Sequence, residues 1–454
     1  MTDFRNVRVH FVGIGGISLS ALAVLVLARG GVVSGSDTQP SRITDKLERL
    51  GVKVYYSHDA SNVCGANLVV LSCAIHDDNP ECVEAKRLGI KTIGRAELLA
   101  EISSEYLNVI TIAGSHGKTT TTGMVASCLK QAGLEPTIHI GGEMESIDGN
   151  VFVGDKYYFV TEACEYKDSF LSFKNQAVSC VLNVQEDHMD YFKTKNNLQN
   201  SFIKYLKNTN KNGICVINTD DEFLDGVKVD RKIITYAVKN KNADYVAKNV
   251  RECKWGKYSF DVFKRGEKVI RVKLPCMGKH QIYNALACVA ICDWFGIDLN
   301  VIAKGLAEFS GIKRRFEEVG SLNGAKVFHD YAHHPTEIQA NIKATKRFTK
   351  GKVIVVFQPH TFTRTRDLWD EFANCFCAAD EVCVFKIYPA REPAILGITA
   401  ESLAEAVRGV SGCVWSSNDY CELYNQLKAK VAPNDTVLIL GAGSIESFCE
   451  LFKH

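Results

Sequence analysis

The sequence has no apolar run long enough to cross a bilayer. A spanning helix needs roughly 18 or more consecutive apolar residues. The best candidate, Ala21–Ala28, is stopped by Arg29 and two glycines. A leader-like start is missing too: Asp3, Arg5, Arg8 and His10 punctuate Met1–Gly16, so no secretory signal is expected and the chain is expected in the cytosol. Excess charge of either sign is absent, with 54 Lys plus Arg against 52 Asp plus Glu and a net charge of +2. That balance excludes a broad basic face for nucleic acid. No low-complexity run or block of like charge points to a disordered tail. No two of the seventeen cysteines have C-x-x-C spacing, which excludes the common zinc and thioredoxin-like motifs. Cys375/Cys377 and Cys288/Cys292 come closest. The second pair lies at i, i+4 in an apolar helical stretch and reads as core packing. So many scattered thiols fit a reducing compartment.

The chain does have length and alternation. At roughly 150 residues per domain, 454 residues suggest about three domains. Short β-branched runs at Val7–Val12, Val32–Gly35, Val52–Tyr55, Leu68–Leu71 and Lys91–Ile93 alternate with helical segments. This predicts a parallel, doubly wound sheet. A second α/β unit starts near Asn108, with strands at Val109–Ala113, Tyr158–Thr161, Val178–Val184 and Gly213–Ile217 and helices at Thr119–Ala132 and Gln281–Phe295. Between them, residues 228–275 hold β-rich pieces at Lys232–Ala237, Lys257–Phe263 and Lys268–Leu274, expected as a small antiparallel insertion or edge. A third unit begins around Lys313. Its expected strands are Val327–Asp330, Lys352–Phe357, Glu381–Phe385, Cys413–Trp415 and Thr436–Leu440. The boundaries therefore fall at 1–107, 108–312 and 313–454.

Six motifs carry chemistry. Gly114-Ser115-His116-Gly117-Lys118-Thr119-Thr120 lies between a strand and a helix. Its glycines let backbone N–H groups wrap phosphate oxygens at a helix N-terminus. Lys118 can reach the β- and γ-phosphates, and Thr119 can ligate Mg²⁺. The spacing is G-x-x-G-K-T, shorter than the standard phosphate loop. The turn Gly13-Ile14-Gly15-Gly16-Ile17-Ser18 resembles G-x-G-x-x-G with Ser18 at the third glycine, and Asp37 follows at the end of the next strand. Such a turn places a diphosphate on a helix N-terminus and an acid near a ribose. Two acidic clusters, Glu162–Glu165 and Asn183–Asp190 with His188, follow the phosphate loop and offer metal ligands. His329–Glu337 and Gln358–Asp367 open the third unit. His333 and His334 lack a third ligand at zinc spacing. Arg364 and Arg366 are suited to a carboxylate or phosphate.

In this order, together with Gly278–Ala285 and Arg314–Phe316, the motifs resemble the Mur ligases, the ATP-dependent amino-acid ligases of peptidoglycan precursor synthesis. Asp330–Pro335 and Gln358–His360 are most similar to the branch that joins L-alanine to UDP-N-acetylmuramate. The resemblance spans nearly the whole chain. It implies a Rossmann-like domain for the sugar nucleotide, a central phosphate-loop ATPase domain with a small antiparallel β portion, and a Rossmann-like C-terminal domain for the amino acid. The implied chemistry is transfer of the ATP γ-phosphate to the lactyl carboxylate, then attack of the amine on the acyl phosphate.

The resemblance also implies roles. Gly13, Gly15, Gly16, Ile17, Ser18, Ser36, Asp37 and Ser72 would hold the sugar nucleotide. Gly114 to Thr120, His280, Asn284, Arg315 and Asp330 would hold ATP. Thr119, Glu162 and His188 would ligate Mg²⁺. Lys118, Glu162, His188, His333 and Arg364 would be catalytic, with Arg364 on the amino-acid carboxylate and His333 a candidate base. Ser18, Leu19, Gln281 and Thr361 depart from the family pattern, as does Cys164 within Glu162–Glu165. Three other readings compete: a sister ligase that attaches a preformed peptide, a nicotinamide-dependent oxidoreductase built on Gly13–Ser18 and Asp37, and a nucleotide-gated binding protein. The oxidoreductase leaves Gly114–Thr119, Glu162 and His188 unused, and the presence of both phosphate and metal candidates counts against a binding protein without catalysis.

Overall fold

The computed structural model describes residues 4–72, 74–390, 392–411 and 413–452. Two compact units form. The first comprises Met1–Val250, Phe260–Pro275 and His280–Ser310, and the second Arg251–Ser259, Cys276–Lys279 and Gly311–His454.

The first unit opens with five parallel strands: β1 (Arg8–Val12), β2 (Val32–Ser36), β3 (Lys53–Tyr55), β4 (Leu68–Leu71) and β5 (Lys91–Gly94). Their order is β3-β2-β1-β4-β5. The chain winds outward from β1 in one direction and then restarts beside it at β4. The crevice between β1 and β4 is therefore the switch point where α/β sheets bind ligands. Gly13 ends β1 and Ser72 ends β4, and a Cβ on Gly13 would meet the Ser72 Cβ at 3.1 Å.

Ten strands follow, mostly in the same unit. They are β6 (Asn108–Ala113), β7 (Thr137–Met144), β8 (Gly149–Phe152), β9 (Tyr158–Glu162), β10 (Gln176–Val181), β11 (Thr209–Asn218), β12 (Lys232–Ala237), β13 (Tyr245–Glu252), β14 (Lys257–Lys264) and β15 (Glu267–Met277). The order β15-β14-β13-β12-β11-β10-β6-β9-β7-β8 puts β6 at a second switch point, between β9 and β10. Residues 228–275 do form an edge. Lys232–Ala237, however, is no antiparallel piece: it runs parallel to β11, and β13, which the pattern did not single out, runs parallel to β12. Their β-branched residues bury into the main sheet, so they extend it. β14 and β15, neighbours in the sheet and joined only by Arg265 and Gly266, form the expected antiparallel hairpin, since parallel strands need a far longer crossover. A further antiparallel pair, β7 with β8, lies at the other edge.

The second unit holds β16 (Glu317–Leu322), β17 (Ala325–Asp330), β18 (Val353–Phe357), β19 (Glu381–Phe385), β20 (Cys413–Ser417) and β21 (Thr436–Leu440), in the order β16-β17-β21-β18-β19-β20. β16 is the one strand of the unit not expected. It pairs antiparallel with β17 through a bulge, and the other pairs are parallel. After β18 the chain forms two short helices, Phe362–Asp367 and Trp369–Asn374.

All sixteen described cysteines are free. Cys288 and Cys292 pack with Cys128 in the core, with Sγ of Cys288 at 3.6 Å from Cys128 and 4.0 Å from Cys292. This joins the helix Gln281–Trp294 to the phosphate-loop helix Lys118–Gln131. No helix among the described residues is long and apolar enough to cross a membrane.

The central sheet is backed by an aromatic stack. Phe170 lies parallel to Tyr205 at 4.8 Å and edge-on to Phe202 at 5.1 Å, all fully buried. Phe202→Ala is expected to cost about 3–5 kcal/mol, read as a lower urea midpoint. A cost under about 1 kcal/mol would show that the stack contributes little.

Candidate active site

Backbone geometry builds the first turn. Gly13 has φ +86°, which places its N–H and that of Ile14 on the Ser36 carbonyl at 2.8 and 2.9 Å. Asp37 accepts from the Gly15 N–H at 2.9 Å and the Thr38 N–H at 2.8 Å. A Cβ on Gly15 would stand 2.8 Å from Asp37 Oδ2, so glycine is required there. Gly16 then starts the helix Ile17–Leu27. Asp37 thus holds the turn itself, with both oxygens engaged. Beneath it lies a group that the motifs did not reveal. Glu81, fully buried, accepts from Ser36 Oγ (2.6 Å), His58 Nδ1 (2.8 Å), Asn62 Nδ2 (2.8 Å) and His10 Nε2 (3.3 Å). Burial favours the neutral acid, but these donors hold the carboxyl below its ordinary range.

The phosphate loop follows β6. Gly114 (φ +132°) and Gly117 (φ +87°) take conformations that glycine adopts without strain. The Asn183 side chain clamps the loop, accepting from the His116 N–H at 2.9 Å and donating to the His116 carbonyl at 3.0 Å. Gly117 precedes the helix Lys118–Gln131, whose first N–H groups face the loop. Lys118 Nζ donates to the Gly114 carbonyl at 2.5 Å and to Glu165 at 3.0 and 3.1 Å. Burial works against its charge. The Glu165 carboxylate, followed by Cys164 and Glu162, nevertheless holds the ammonium above its ordinary pKa.

The structure divides the expected metal ligands into two groups. Thr119 Oγ1 donates to Glu162 Oε2 at 3.1 Å, and the Gly141 N–H donates to Glu162 Oε1. His188 groups instead with Glu165 and Asp187, their ligand atoms all within 4.8 Å of one another. His188 has φ +54° and its ring lies 4.7 Å from that of Tyr166. Glu165 and Asp187 were visible in the acidic clusters but carried no assignment there; the side chain of Asp190 lies outside the described residues. Carboxylates, a hydroxyl and an imidazole are a donor set that fits Mg²⁺. At the neighbouring helix start, Gln281 replaces the family's asparagine and links two expected adenine contacts. Its Nε2 lies 3.0 Å from His280 Nε2, and its Oε1 accepts from Asn284 Nδ2 at 2.9 Å. A Cβ on Gly117 would meet Asn284 Oδ1 at 2.6 Å, so the loop and this helix start fit against one another.

In the second unit, the C-terminal ends of β17, β18 and β21 converge. Asp330, buried, accepts from the Phe316 N–H at 2.7 Å and the Ala332 N–H at 2.8 Å. Burial pushes its carboxyl pKa up against the pull of Arg315. The Arg315 guanidinium lies 5.3 Å over the Tyr331 ring. His333 and His360 have rings 6.0 Å apart, and Arg364 Nη1 donates to His360 Nδ1 at 3.3 Å. His333 Nδ1 faces the Tyr331 carbonyl at 3.0 Å. Thr361 caps the helix of Arg364: its Oγ1 accepts the Arg364 N–H at 3.4 Å.

Family models match along the chain. The model described as "Mur ligase family, catalytic domain" covers residues 8–107, "Mur ligase middle domain" residues 112–292, and "Mur ligase, glutamate ligase domain" residues 314–443. A relative from Acetivibrio thermocellus, named UDP-N-acetylmuramate–L-alanine ligase, is 42% identical over 447 residues, 98% of this chain and 95% of its own length. The crystal structure of the UDP-N-acetylmuramate-alanine ligase of Thermotoga maritima matches with a TM-score of 0.85 and 29% identity over 98% of both chains. A murein peptide ligase from Psychrobacter arcticus 273-4 matches with a TM-score of 0.73 and 22% identity over 98% of this chain and 97% of its own. It shares the fold.

One consequence is measurable. Burial, then the charges of His333 and Arg364, bring the His360 pKa down from 6.5 to about 4. As pH falls, the unfolded chain therefore takes up this proton before the folded one. The share of stability due to His360 is present in full above pH 6.5 and is lost as pH falls to about 4. His360→Gln should flatten the fall of the urea midpoint across that window. An unchanged fall would contradict a neutral His360.

Proposed function

Because the chain belongs to the Mur ligase family, we propose that it joins L-alanine to the lactyl carboxylate of UDP-N-acetylmuramate, consuming ATP and releasing ADP and phosphate. The observation that carries the reading is Lys118, held charged at a glycine-built helix start beside Thr119 and Glu162. The proposed division of labour assigns residues 1–107 to the sugar nucleotide, 108–312 to ATP and 313–454 to the amino acid.

In the first step, the lactyl carboxylate attacks the γ-phosphorus and ADP leaves. Both reactants are anions, so positive charge has to be in place beforehand. Lys118 exchanges Glu165 for the γ-phosphate. The N–H groups that open its helix hold the β-phosphate. Gly114, Ser115, His116, Gly117 and Thr120 shape the same cradle, and His280 and Asn284 hold the adenine. Thr119 and Glu162 would hold one Mg²⁺, and His188 with Glu165 and Asp187 a second. The ions would neutralise charge on the phosphates. Arg315 and Asp330 are proposed as further ATP contacts.

In the second step, the amine of L-alanine attacks the acyl phosphate and inorganic phosphate leaves. Arg364 binds the alanine carboxylate. His333 is proposed as the base. Its Nδ1 is engaged by the Tyr331 carbonyl, which leaves Nε2 to accept a proton. Burial lowers its pKa, so it is neutral near pH 7 and able to act. Gly13, Gly15, Gly16, Ile17, Ser18, Ser36, Asp37 and Ser72 are proposed for the sugar nucleotide. The free thiols fit the cytosol as the compartment.

Phosphate release is expected only when UDP-N-acetylmuramate, L-alanine, ATP and Mg²⁺ are all present. Release without the sugar nucleotide, or with a tripeptide in preference to L-alanine, would contradict the reading. Lys118→Ala should abolish release and leave UDP-N-acetylmuramate binding intact in a titration. Loss of both would contradict the division into 1–107 and 108–312.

A further inference from the structure

Ser18 occupies the third glycine position of its turn, and its hydroxyl is in use. Arg95 Nη1 donates to Ser18 Oγ at 3.0 Å, and Ser18 Oγ lies 3.0 Å from His139 Nε2. His139 Nδ1 lies 2.9 Å from Thr161 Oγ1, which donates to the Glu162 carbonyl at 3.2 Å. Arg95 can only donate and a carbonyl can only accept. One direction therefore satisfies every group: Arg95 to Ser18, Ser18 to His139 Nε2, Nδ1–H to Thr161, and Thr161 to Glu162. Burial, then the Arg95 charge, bring the His139 pKa down to about 3. The imidazole stays neutral and the chain keeps its direction.

The beneficiary is Arg95. It is half-buried and is the first residue of the helix Arg95–Ser103. That end of a helix dipole disfavours a cation. The acid of the first turn, Glu97, is exposed. Among the described residues, no carboxylate makes an ion pair with the Arg95 guanidinium; Ser18 is its hydrogen-bond partner. A cation fixed at an unfavourable place by a neutral network, with no ion pair among the described residues, is arranged to receive an anion.

The surroundings identify the anion. Arg95 lines a small cleft with Glu162, Cys164, Ser169 and Phe173. On one side, Ser18 belongs to the helix that follows the Gly13–Gly16 turn. On the other, Glu162 is bonded to Thr119 of the phosphate loop. A sugar nucleotide held at the first turn must cross this cleft to bring its carboxylate to the γ-phosphate. We infer that Arg95 binds the lactyl carboxylate of UDP-N-acetylmuramate and makes the site selective for a sugar nucleotide that carries one. Ser18 and His139 are positioning residues for it. The inference rests on the ligase reading above.

The test is calorimetric titration of the full chain with UDP-N-acetylmuramate and with UDP-N-acetylglucosamine, the same sugar nucleotide without the lactyl group. Arg95→Met should weaken UDP-N-acetylmuramate by about 10- to 100-fold, as for a lost charge-assisted hydrogen bond, and leave UDP-N-acetylglucosamine unchanged. Arg95→Lys should recover part of the loss, and Ser18→Ala should cause a smaller loss confined to UDP-N-acetylmuramate. An equal loss for both ligands, or no loss for either, overturns the assignment of Arg95. Failure of the unaltered chain to bind UDP-N-acetylmuramate overturns the ligase reading instead.

Discussion

A carboxylate and a triphosphate repel each other, and this reaction requires them to come within bonding distance. A chain with a net charge of +2 cannot solve that with a diffuse field. It has to concentrate positive charge at points and hold it there before the substrates arrive. Lys118 is the main point. Its ammonium is partly buried and is held as a cation by Glu165, 3.0 Å away. Glu165 in turn belongs to the group that contains Asp187 and His188. Charge on the loop and donors for a metal are thereby parts of one arrangement, and changing any member alters the others.

The two sheets of the first unit meet around the same problem. The first sheet's turn is stiffened from below by Glu81 through Ser36, and from the side by Asp37 through Gly15. The central sheet's loop is stiffened by Asn183. Between them runs the Arg95–Ser18–His139–Thr161 series, ending on the backbone of Glu162. Ser18 looked like a defect in a glycine turn. It is a hydrogen-bonding relay, and glycine at that position would break the series.

Much of this was legible in the sequence because period and punctuation are local. Strands such as Leu68–Leu71, Glu381–Phe385 and Thr436–Leu440 lie where the apolar runs predict them. The phosphate loop announces itself by glycines whose φ values only its turn requires. What remained hidden depends on pairing at a distance. The parallel partner of Lys232–Ala237 is β11, and no local signal tells a parallel edge from an antiparallel one. β13 and β16 carry charged residues on their open faces and read as loop. Glu81 lies in a helix that looks solvated, yet it is buried under residues far away in sequence. His139 sits in a strand among apolar neighbours, and only the fold places it against Ser18. The division of the metal donors into Thr119 with Glu162, and His188 with Glu165 and Asp187, likewise follows from where loops come together.

The central claim is that the lactyl carboxylate takes the γ-phosphate before the amine attacks. It can be tested by following the carboxylate oxygens. With UDP-N-acetylmuramate carrying ¹⁸O in its lactyl carboxylate, the account predicts that one labelled oxygen per turnover appears in the released phosphate and the other stays in the amide carbonyl. Phosphate free of the label would contradict it.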